Sequence, residues 1–213
     1  MKQSFIKKFI LLLNKNFYFK KIFSFIKKID QFDFVIVDNK KIFFLNTNYT
    51  THYRIKSFFT KEPETIKWIN EFENKSVFWD IGSNIGLYSI YSQFINKDIE
   101  TISFEPSVLN LPSLVKNINK NSLSDKILIV SNPIYNLSLF NKFILSNTDE
   151  GGANSSFGEE NMVNMNILSY KTNSLDFKNI KQIDKLNEPD YVKIDVDGNE
   201  FQILKSLLDN FEN

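Results

Sequence analysis

Three short polar segments, each placed directly after an apolar run, hold the residues of this chain that could do chemistry. They are Asp80–Gly86, Ser103–Pro106 and Lys193–Glu200, and they are rich in carboxylates and glycines. If the apolar runs are neighbouring parallel strands, their carboxyl ends meet at one edge of a sheet, which is where open α/β sheets bind ligands. The sequence therefore predicts a single ligand site built from all three segments.

The first segment, DIGSNIG, is typical of a turn between a strand and a helix. Gly82 permits a tight turn that a β-carbon would obstruct, and Gly86 lets the following helix pack close to the sheet. The start of that helix leaves backbone N–H groups facing the loop. Asp80 stands where the dinucleotide-binding pattern has its first glycine, and the Gly-Lys-Ser/Thr ending of a Walker loop is missing. The alternative is an ordinary turn that uses glycine for geometry alone.

The second segment places an acid where a nucleoside would need one. Glu105 lies nineteen residues after Gly86, at the end of the next apolar run. A carboxylate at that point can accept hydrogen bonds from both hydroxyls of a ribose. The alternative is an exposed acid at a strand end, but the glycine loop and the acid together favour a nucleoside-type ligand.

The third segment gathers Asp195, Asp197 and Glu200 on the same predicted edge. Clustered carboxylates can raise one another's pKa and supply a general base, or hold a divalent cation through oxygen ligands. The alternative is that Asp197 and Asn199 are turn and helix-cap residues. From the residues alone we expect that turn role for residues 197–199 and a functional role for Asp195 at the strand end.

The elements that must position these segments alternate between strands and helices. This alternation predicts an α/β fold, a Rossmann-like parallel sheet with helices on both faces, over residues 61–213. A β-hairpin extension is predicted over residues 31–60, where Asp38-Asn39-Lys40 separates two β-rich runs. The predicted strands of the body are Val77–Ile81, Ile99–Phe104, Lys126–Val130, Phe143–Leu145, Ile167–Tyr170 and Tyr191–Val196. The predicted helices begin at Glu62-Pro63-Glu64 and span Gly86–Ile95, Val108–Lys120, Leu175–Leu186 and Asn199–Leu208.

Composition excludes several classes of protein. The chain has no Cys, which excludes disulfide scaffolds, cysteine-based zinc sites and thiol nucleophiles, and its one histidine leaves no His pair for a metal. Residues 1–29 hold eight Lys and no acid, so removing those eight charges from the net +1 of the chain leaves −7 over residues 30–213. A mildly acidic body argues against a nucleic-acid-binding protein.

The basic segment of residues 1–30 favours two interpretations. Its apolar residues recur at helical spacing between lysines, as in an amphipathic helix lying on an anionic membrane surface. The same pattern fits one or two helices that pack on the domain, which is the interpretation we favour. The longest apolar run, Phe9–Leu13, is too short to cross a bilayer, and no cleavage site follows it. We expect a cytoplasmic protein, with peripheral contact at the inner membrane face through residues 1–28 as the alternative to packing on the domain.

Taken together, the segments resemble the FkbM family of methyltransferases, a branch of the class I S-adenosylmethionine-dependent enzymes. The resemblance covers residues 60–208 and is carried by VFWDIGSNIGLYSIYS (77–92), ISFEPS (102–107), GGANSS (151–156) and YVKIDVDGNEFQILK (191–205). Each motif is weak alone, and the combination is specific. The resemblance implies a cofactor, S-adenosylmethionine, bound at the carboxyl edge of the sheet.

The resemblance also implies roles for individual residues. Asp80, Gly82, Asn84 and Gly86 would line the methionine and sulfonium part of the cofactor, Glu105 would hold the ribose, and Asn132 would lie near the adenine. The segment Lys193–Glu200 would form the floor beside the transferred methyl group. Family members commonly methylate hydroxyl groups of sugars or polyketide-type products, so the expected reaction is O-methylation of a sugar, glycan or secondary metabolite.

A hydroxyl acceptor must lose its proton, so a base or a metal is expected near the methyl group. Asp195 is the first candidate base, and His52, in the segment before the domain, is the second. The long polar loop Asn147–Asn166 is a candidate for acceptor recognition through Asn154 and Ser155, beside Asp197 and Glu200. A divalent metal is compatible with the carboxylates, but no motif in the sequence supports one.

One departure from the family leaves alternatives open. Family members usually run further past the KIDVDGNE helix than this chain does. Either the hairpin and the inserted strands complete the sheet, or the domain is short at its C-terminus and has an open edge. The competing functions are an inactive Rossmann-like binding or scaffold protein, a nicotinamide-dependent oxidoreductase, and a membrane-surface protein that works through residues 1–28.

Overall fold

The computed structural model describes residues 21, 30–158, 168–183 and 186–211. The predicted amphipathic segment of residues 1–30 lies almost wholly outside this part of the chain, as does the second half of the predicted loop Asn147–Asn166. The chain divides into two compact units, Met1–Gln31 and Phe32–Asn213, and every element below belongs to the second. Within the described residues, none of the helices combines the length and the apolar character that crossing a bilayer requires.

The second unit begins with an antiparallel hairpin of β1 (Phe32–Val37) and β2 (Lys40–Leu45). Its two turn residues, Asp38 and Asn39, have positive φ angles of 46° and 62°, the backbone conformation whose twist matches a two-residue hairpin. One face of the hairpin is buried in the core, through Val35, Val37, Ile42 and Phe44. The hairpin is therefore part of the folded domain and not an appendage to it.

Three helices follow the hairpin: α1 (Tyr49–Lys56), α2 (Phe58–Lys61) and α3 (Pro63–Asn70). Only α3 was predicted from the sequence, by the proline in its first turn. The start of α1 is fixed by a capping box. The side chain of Asn48 accepts from the N–H of Thr51, and the side chain of Thr51 accepts from the N–H of Asn48. The last turn of this helix contains Arg54.

The first strands of the parallel sheet alternate with helices as predicted. They are β3 (Val77–Ile81), α4 (Leu87–Ile95), β4 (Glu100–Phe104), α5 (Leu111–Lys120) and β5 (Ile127–Val130). All five residues of β3 are buried, as expected for a strand covered on both faces.

An insertion then leaves the parallel sheet. The strands β6 (Phe140–Leu145), β7 (Ser156–Phe157) and β8 (Leu168–Asn173) form a separate antiparallel sheet in the order β7-β6-β8. Neither these strands nor the hairpin joins the parallel sheet, so the expectation that they might complete it is wrong. Each set instead satisfies its backbone hydrogen bonds within its own small sheet.

The chain returns through α6 (Phe177–Ile180), β9 (Tyr191–Ile194) and α7 (Glu200–Phe211). The helix predicted over Leu175–Leu186 is mostly wrong, because the helix capped by Asp176 ends after four residues. Strand β9 pairs in parallel with β3, which gives a four-stranded sheet in the order β5-β4-β3-β9.

Apolar clusters cover both faces of this sheet. One is formed with α4, α5 and the hairpin, and it includes Phe78, Ile90 and Leu114. The other is formed with α6 and α7, and it includes Trp79, Phe177 and Ile203. The predicted Rossmann-like α/β fold with helices on both faces is confirmed.

The buried amide of Asn117 on α5 joins the hairpin to the glycine loop, and its removal gives a first prediction. Oδ1 of Asn117 accepts from the N–H of Leu45 at 2.6 Å, and its Nδ2 donates to the carbonyl of Ile85 at 2.8 Å. Asn117→Ala leaves both backbone groups buried and unpaired, so we expect a loss of about 2–4 kcal/mol in the free energy of unfolding, measured with urea. The matched control is Asn119→Ala on the exposed face of α5, with an expected change within about 0.5 kcal/mol. Equal losses for the two variants would contradict the prediction.

Candidate functional site

A cleft opens at the carboxyl edge of the parallel sheet, where the sequence predicted a site. It encloses about 890 Å³, including its open mouth. All three polar segments contribute to its walls, together with the GGANSS segment. The lining of the cleft includes Arg54, Lys61, Gly82, Asn84, Phe104, Glu105, Asn132, Ile134, Ser155, Asp195, Asp197, Asn199 and Ile203.

The glycine loop is packed directly against the end of β9. The N–H groups of Gly82 and Ser83 donate to the carbonyl of Phe104 at 2.9 and 3.0 Å, which ties the loop to β4. Gly82 has a φ of +84°, and a β-carbon there would lie 2.1 Å from the carbonyl oxygen of Asp195. Only glycine fits this position, because the backbone of β9 occupies the space that a side chain would need.

Gly86 has a different role from the one that the resemblance implied. It caps α4 with a φ of +84°, and a β-carbon there would lie 2.5 Å from Cδ1 of Leu114. It does not line the cleft. Gly86 therefore serves helix packing, as the sequence reasoning on close approach suggested, and the expected cofactor contact has no support in the structure.

Glu105 is buried at the end of β4 and organises the loop beside it. Its two carboxylate oxygens accept from the N–H of Asn84 at 2.7 Å and the N–H of Ser107 at 2.8 Å. Burial raises the pKa of Glu105 to about 7, although these hydrogen bonds oppose the shift. The carboxylate lines the cleft, and its remaining lone pairs can accept from a bound ligand.

Asp80 lies beneath the loop and not in the cleft. Its Oδ2 accepts from the hydroxyl of Ser89 at 2.6 Å, and the hydroxyl of Ser103 donates onward to Ser89 at 2.6 Å. Burial raises the pKa of Asp80, with the charge of Lys193 acting in the opposite direction. Because the side chain is fully buried, Asp80 supports the loop from below, and the expectation that it lines the methionine part is not supported.

Asp195 follows β9 and lines the cleft as expected. Its Oδ2 pairs with Nζ of Lys193 at 2.8 Å. Burial opposes ionisation of Asp195, but the charge of Lys193, with smaller contributions from Lys61 and Arg54, holds its pKa below the usual value. A carboxylate held ionised in this way is a strong hydrogen-bond acceptor and a weak proton acceptor.

Asp197 also lines the cleft, and its environment is the opposite of that of Asp195. Burial raises its pKa, although it accepts backbone hydrogen bonds from Asn154 and Ser155. Of the two acids, Asp197 is the better matched to accept a proton near neutral pH.

The other predicted acceptor residues divide into two groups. Ser155 lines the cleft, whereas Asn154 and Glu200 do not. Asn154 has a positive φ of 60° and contributes its backbone N–H to Asp197. Glu200 accepts from the N–H of Gly198 at 3.1 Å, which is a turn-stabilising role at the start of α7. The structure thus brings Ser155 and Asp197 together in the cleft.

His52 lies away from the cleft. Its Nδ1 is 3.1 Å from Nδ2 of Asn46 and 4.0 Å from Oδ2 of Asp33, on the hairpin side of α1. The candidate base role therefore has no geometric support. The residue of α1 that reaches the cleft is Arg54, two positions later, which the sequence analysis missed.

The GGANSS segment is fastened to four other parts of the domain. Nε of Arg54 donates to the carbonyl of Gly151 at 2.5 Å, and Nδ2 of Asn84 donates to the carbonyl of Gly152 at 2.8 Å. The N–H of Gly151 donates to Oδ1 of Asn110 at 2.9 Å. The N–H of Asn154 donates to Oδ2 of Asp197. Just past the segment, the N–H of Phe157 donates to Oδ1 of Asn199 at 2.9 Å. The predicted loop thus has, in its described part, a fixed conformation that forms one wall of the cleft.

The far end of the cleft is mainly apolar. Phe104, Ile134 and Ile203 line it beside Asn132. Nδ2 of Asn132 is engaged with the carbonyl of Asn173 at 3.1 Å and with its side-chain oxygen at 3.0 Å. A flat aromatic base fits between such apolar walls, with the amide of Asn132 at the rim.

The strand order β5-β4-β3-β9 places Glu105, after β4, between Asn132 and Ile134, after β5, and Asp195, after β9. The end of the cleft at Asp195 is its charged end. This order fits an elongated ligand with a planar base, a vicinal diol and a polar tail. Across the described residues, the structure contains no group of three or more His, Asp or Glu placed to hold a metal ion.

One family model matches more than half of the chain. The model of the methyltransferase FkbM domain matches residues 80–213. No curated protein matches the chain.

Several solved structures are partly similar. The C-terminal domain of precorrin-6Y C5,15-methyltransferase from Rhodobacter capsulatus is 24% identical, with 35% of this chain and 40% of that chain covered and a TM-score of 0.31. Precorrin-6y C5,15-methyltransferase from Geobacter metallireducens is 14% identical, with 68% and 53% covered and a TM-score of 0.40. TYW2 from P. horikoshii, solved in complex with MeSAdo, is 15% identical, with 51% and 40% covered and a TM-score of 0.35. The chain therefore spans well under two thirds of the length of these proteins.

Proposed function

Since the chain belongs to the FkbM methyltransferase family, whose domain model matches residues 80–213, we propose that it transfers a methyl group from S-adenosylmethionine to a hydroxyl group. The acceptor we propose is a sugar, a glycan or a hydroxylated secondary metabolite. The observation that carries the proposal is the buried carboxylate of Glu105, placed beside the glycine loop in the lining of the cleft.

The residues of the cleft fit the cofactor part by part. Glu105 would accept from the ribose hydroxyls, and Phe104, Ile134 and Ile203 would enclose the adenine. The loop of Gly82 and Asn84 would lie along the methionine part. When bound, S-adenosylmethionine supplies a methyl carbon activated by its sulfonium, so that the acceptor oxygen forms a bond to carbon as the carbon–sulfur bond breaks.

What the protein must add is acceptor position and a place for the acceptor proton. Ser155 and Asp195 can hold acceptor hydroxyls by hydrogen bonds, since both line the same end of the cleft. Asp197 takes the proton in this proposal, because its raised pKa suits it better than the lysine-paired Asp195. Asp197→Asn should then lower kcat more than it weakens cofactor binding.

The experiment that tests the proposal is calorimetry with S-adenosylmethionine and S-adenosylhomocysteine on the purified chain. We expect binding in the micromolar range, followed by methyl transfer in a screen of sugars and glycolipid precursors with radiolabelled cofactor. A folded sample that binds neither nucleoside would overturn the proposal. Binding without transfer to any hydroxylated acceptor would instead favour the inactive scaffold.

The raised pKa of Glu105 predicts a pH-dependent affinity for the cofactor. Ribose hydroxyls donate more strongly to an ionised carboxylate than to a protonated one. With the pKa of Glu105 at about 7, the affinity for S-adenosylhomocysteine should rise about tenfold between pH 6 and pH 8. Glu105→Gln should remove this rise in affinity. Any effect of protonation of the ligand is the same for the intact chain and for Glu105→Gln, so it cancels when their affinities are compared at each pH.

The raised pKa of Glu105 also makes the free energy of unfolding depend on pH. The direction of this dependence is the opposite of the usual one for an acid. The unfolded chain ionises Glu105 near its ordinary pKa of 4.5, whereas the folded chain does so at about 7. The contribution of Glu105 to the free energy of unfolding should therefore decrease as the pH rises from 4.5 to 7. Comparison of urea denaturation of the intact chain and Glu105→Gln at several pH values measures it.

A further inference from the structure

The one arginine of the chain lies in the cleft. The other 25 basic residues are lysines, so the position of Arg54 stands out in this composition. Nε of Arg54 donates to the carbonyl of Gly151 at 2.5 Å, which fixes the guanidinium against the cleft wall. Within the described residues this is the hydrogen bond that its side chain makes. A guanidinium carries five N–H donors in a rigid fork, so its two terminal nitrogens can still bind a ligand.

A second cation lines the same cleft. Lys61 is the last residue of α2, and its Nζ lies 3.3 Å from Oε1 of Glu62. The charges of Lys61 and Arg54 both act on the carboxyl of Asp195, so both lie near the end of β9. The two cations therefore belong to the charged end of the cleft.

The nearest partners of the two acids at that end are groups other than Arg54 and Lys61. The ion-pair partner of Asp195 is Lys193, at 2.8 Å. Asp197 is held by backbone N–H groups of the GGANSS segment. In the part of the chain that the structure describes, Lys61 pairs with Glu62, whereas Arg54 forms no ion pair, so its half-buried guanidinium lines the cleft without an acid of its own. Partly buried charge of this kind attracts an anionic group.

We propose that Arg54 and Lys61 form an anion subsite that binds a carboxylate or phosphate group at the Asp195 end of the cleft. This inference rests on the proposed function, because it places the anion beside the transferred methyl group. Two sources have the required chemistry. One is the amino-acid carboxylate of the cofactor, and the other is an acid group on the acceptor, such as that of a uronic acid or a sugar phosphate.

The first arm of the test compares two nucleosides. S-adenosylhomocysteine carries the amino-acid group, and 5′-methylthioadenosine lacks it. Both are titrated into the intact chain, Arg54→Gln and Lys61→Gln by calorimetry. If the anion is the carboxylate of the cofactor, each variant should bind S-adenosylhomocysteine about tenfold more weakly and 5′-methylthioadenosine within a factor of about two.

The second arm addresses the acceptor. Glucuronate, glucose 6-phosphate and glucose are titrated into the protein saturated with S-adenosylhomocysteine. If the anion belongs to the acceptor, the two acids should bind at least about tenfold more tightly than glucose, and both variants should lose that preference.

The matched control is Lys56→Gln. Lys56 lies on α1 two residues after Arg54, but its Nζ pairs with Asp33 at 2.7 Å and it does not line the cleft. This variant should bind every ligand like the intact chain. Arg54→Lys keeps the charge and loses the fork, so it should lie between the intact chain and Arg54→Gln.

Two results would overturn the inference. One is unchanged binding of all the probes in both variants. The other is an equal weakening of both nucleosides by Arg54→Gln with no effect of Lys61→Gln, since Arg54 would then act only through Gly151. A failure of the intact chain to bind S-adenosylhomocysteine would count against the proposed function itself, and the two failures are thereby distinguished.

Discussion

Gly82→Ala should be the most damaging single substitution in the cleft. A β-carbon at this position would lie 2.1 Å from the carbonyl oxygen of Asp195, and the φ of +84° is one that alanine rarely adopts. The contact cannot relax easily, because the N–H of Asp195 is bonded to the carbonyl of Ile81 at 2.9 Å and so ties β9 to β3. We expect a loss of about 3 kcal/mol or more in the free energy of unfolding, and no measurable binding of S-adenosylhomocysteine by the protein that remains folded.

Gly158→Ala separates the cost of a positive φ from the cost of a collision with the backbone at Asp195. Gly158 has a φ of +94°, but no atom lies closer than 3.8 Å to the position of its β-carbon. This control variant has the cost of the positive φ without the collision, so we expect it to lower the free energy of unfolding by about 1 kcal/mol. Urea denaturation of both variants measures the difference, and similar losses would show that the backbone conformation, and not the approach of β9, makes glycine necessary at position 82.

Glu105→Ala should abolish most of the affinity for the cofactor. The substitution removes the proposed acceptor for the ribose hydroxyls and leaves the N–H groups of Asn84 and Ser107 without their partner. Hydrogen bonds to a charged group are worth about 1.5–3 kcal/mol, so we expect S-adenosylhomocysteine to bind about 100-fold more weakly in calorimetry. Glu105→Gln should lie between, because its amide keeps one acceptor oxygen but places an NH2 group against a backbone N–H.

The control for Glu105 is an acid at the other end of the same strand. Glu100 begins β4, and its Oε2 accepts from Nδ2 of Asn187 at an exposed position. Glu100→Gln should leave the affinity for both nucleosides within a factor of about two. A comparable loss in both variants would mean that the affinity depends on general charge and not on the position of Glu105.

The three polar segments were predictable because each depends on local sequence. An apolar run ending in an acid or a glycine identifies a strand end, and parallel strands bring such ends together. This reasoning placed Gly82, Glu105 and Asp195 at one edge, and the structure has them there. It also gave the hairpin turn at Asp38-Asn39, since both residues tolerate a positive φ.

The missed features depend on contacts between distant segments. Nothing near Arg54 in the sequence indicates that it meets Gly151, which lies 97 positions later. The burial of Asp80 beneath the loop likewise depends on Ser89 and Ser103, which come from two other elements. The capping box at Asn48 was a usable local signal for the start of α1. Its recognition would have predicted that Arg54 lies on a helix.

The hydrogen bonds that hold the GGANSS segment limit how far the chain can be shortened without loss of the cleft wall. The family match begins at residue 80, whereas the hydrogen bonds to this segment from Arg54 and from Asn48, whose Nδ2 donates to the carbonyl of Glu150 at 3.0 Å, come from residues before it. A fragment cut to the matched residues would lose these bonds and three of the five residues of β3. Amide hydrogen exchange at Gly151 and Gly152 would then be fast even if the rest of the sheet formed. A fragment that keeps these bonds therefore has to begin before Asn48 and include α1.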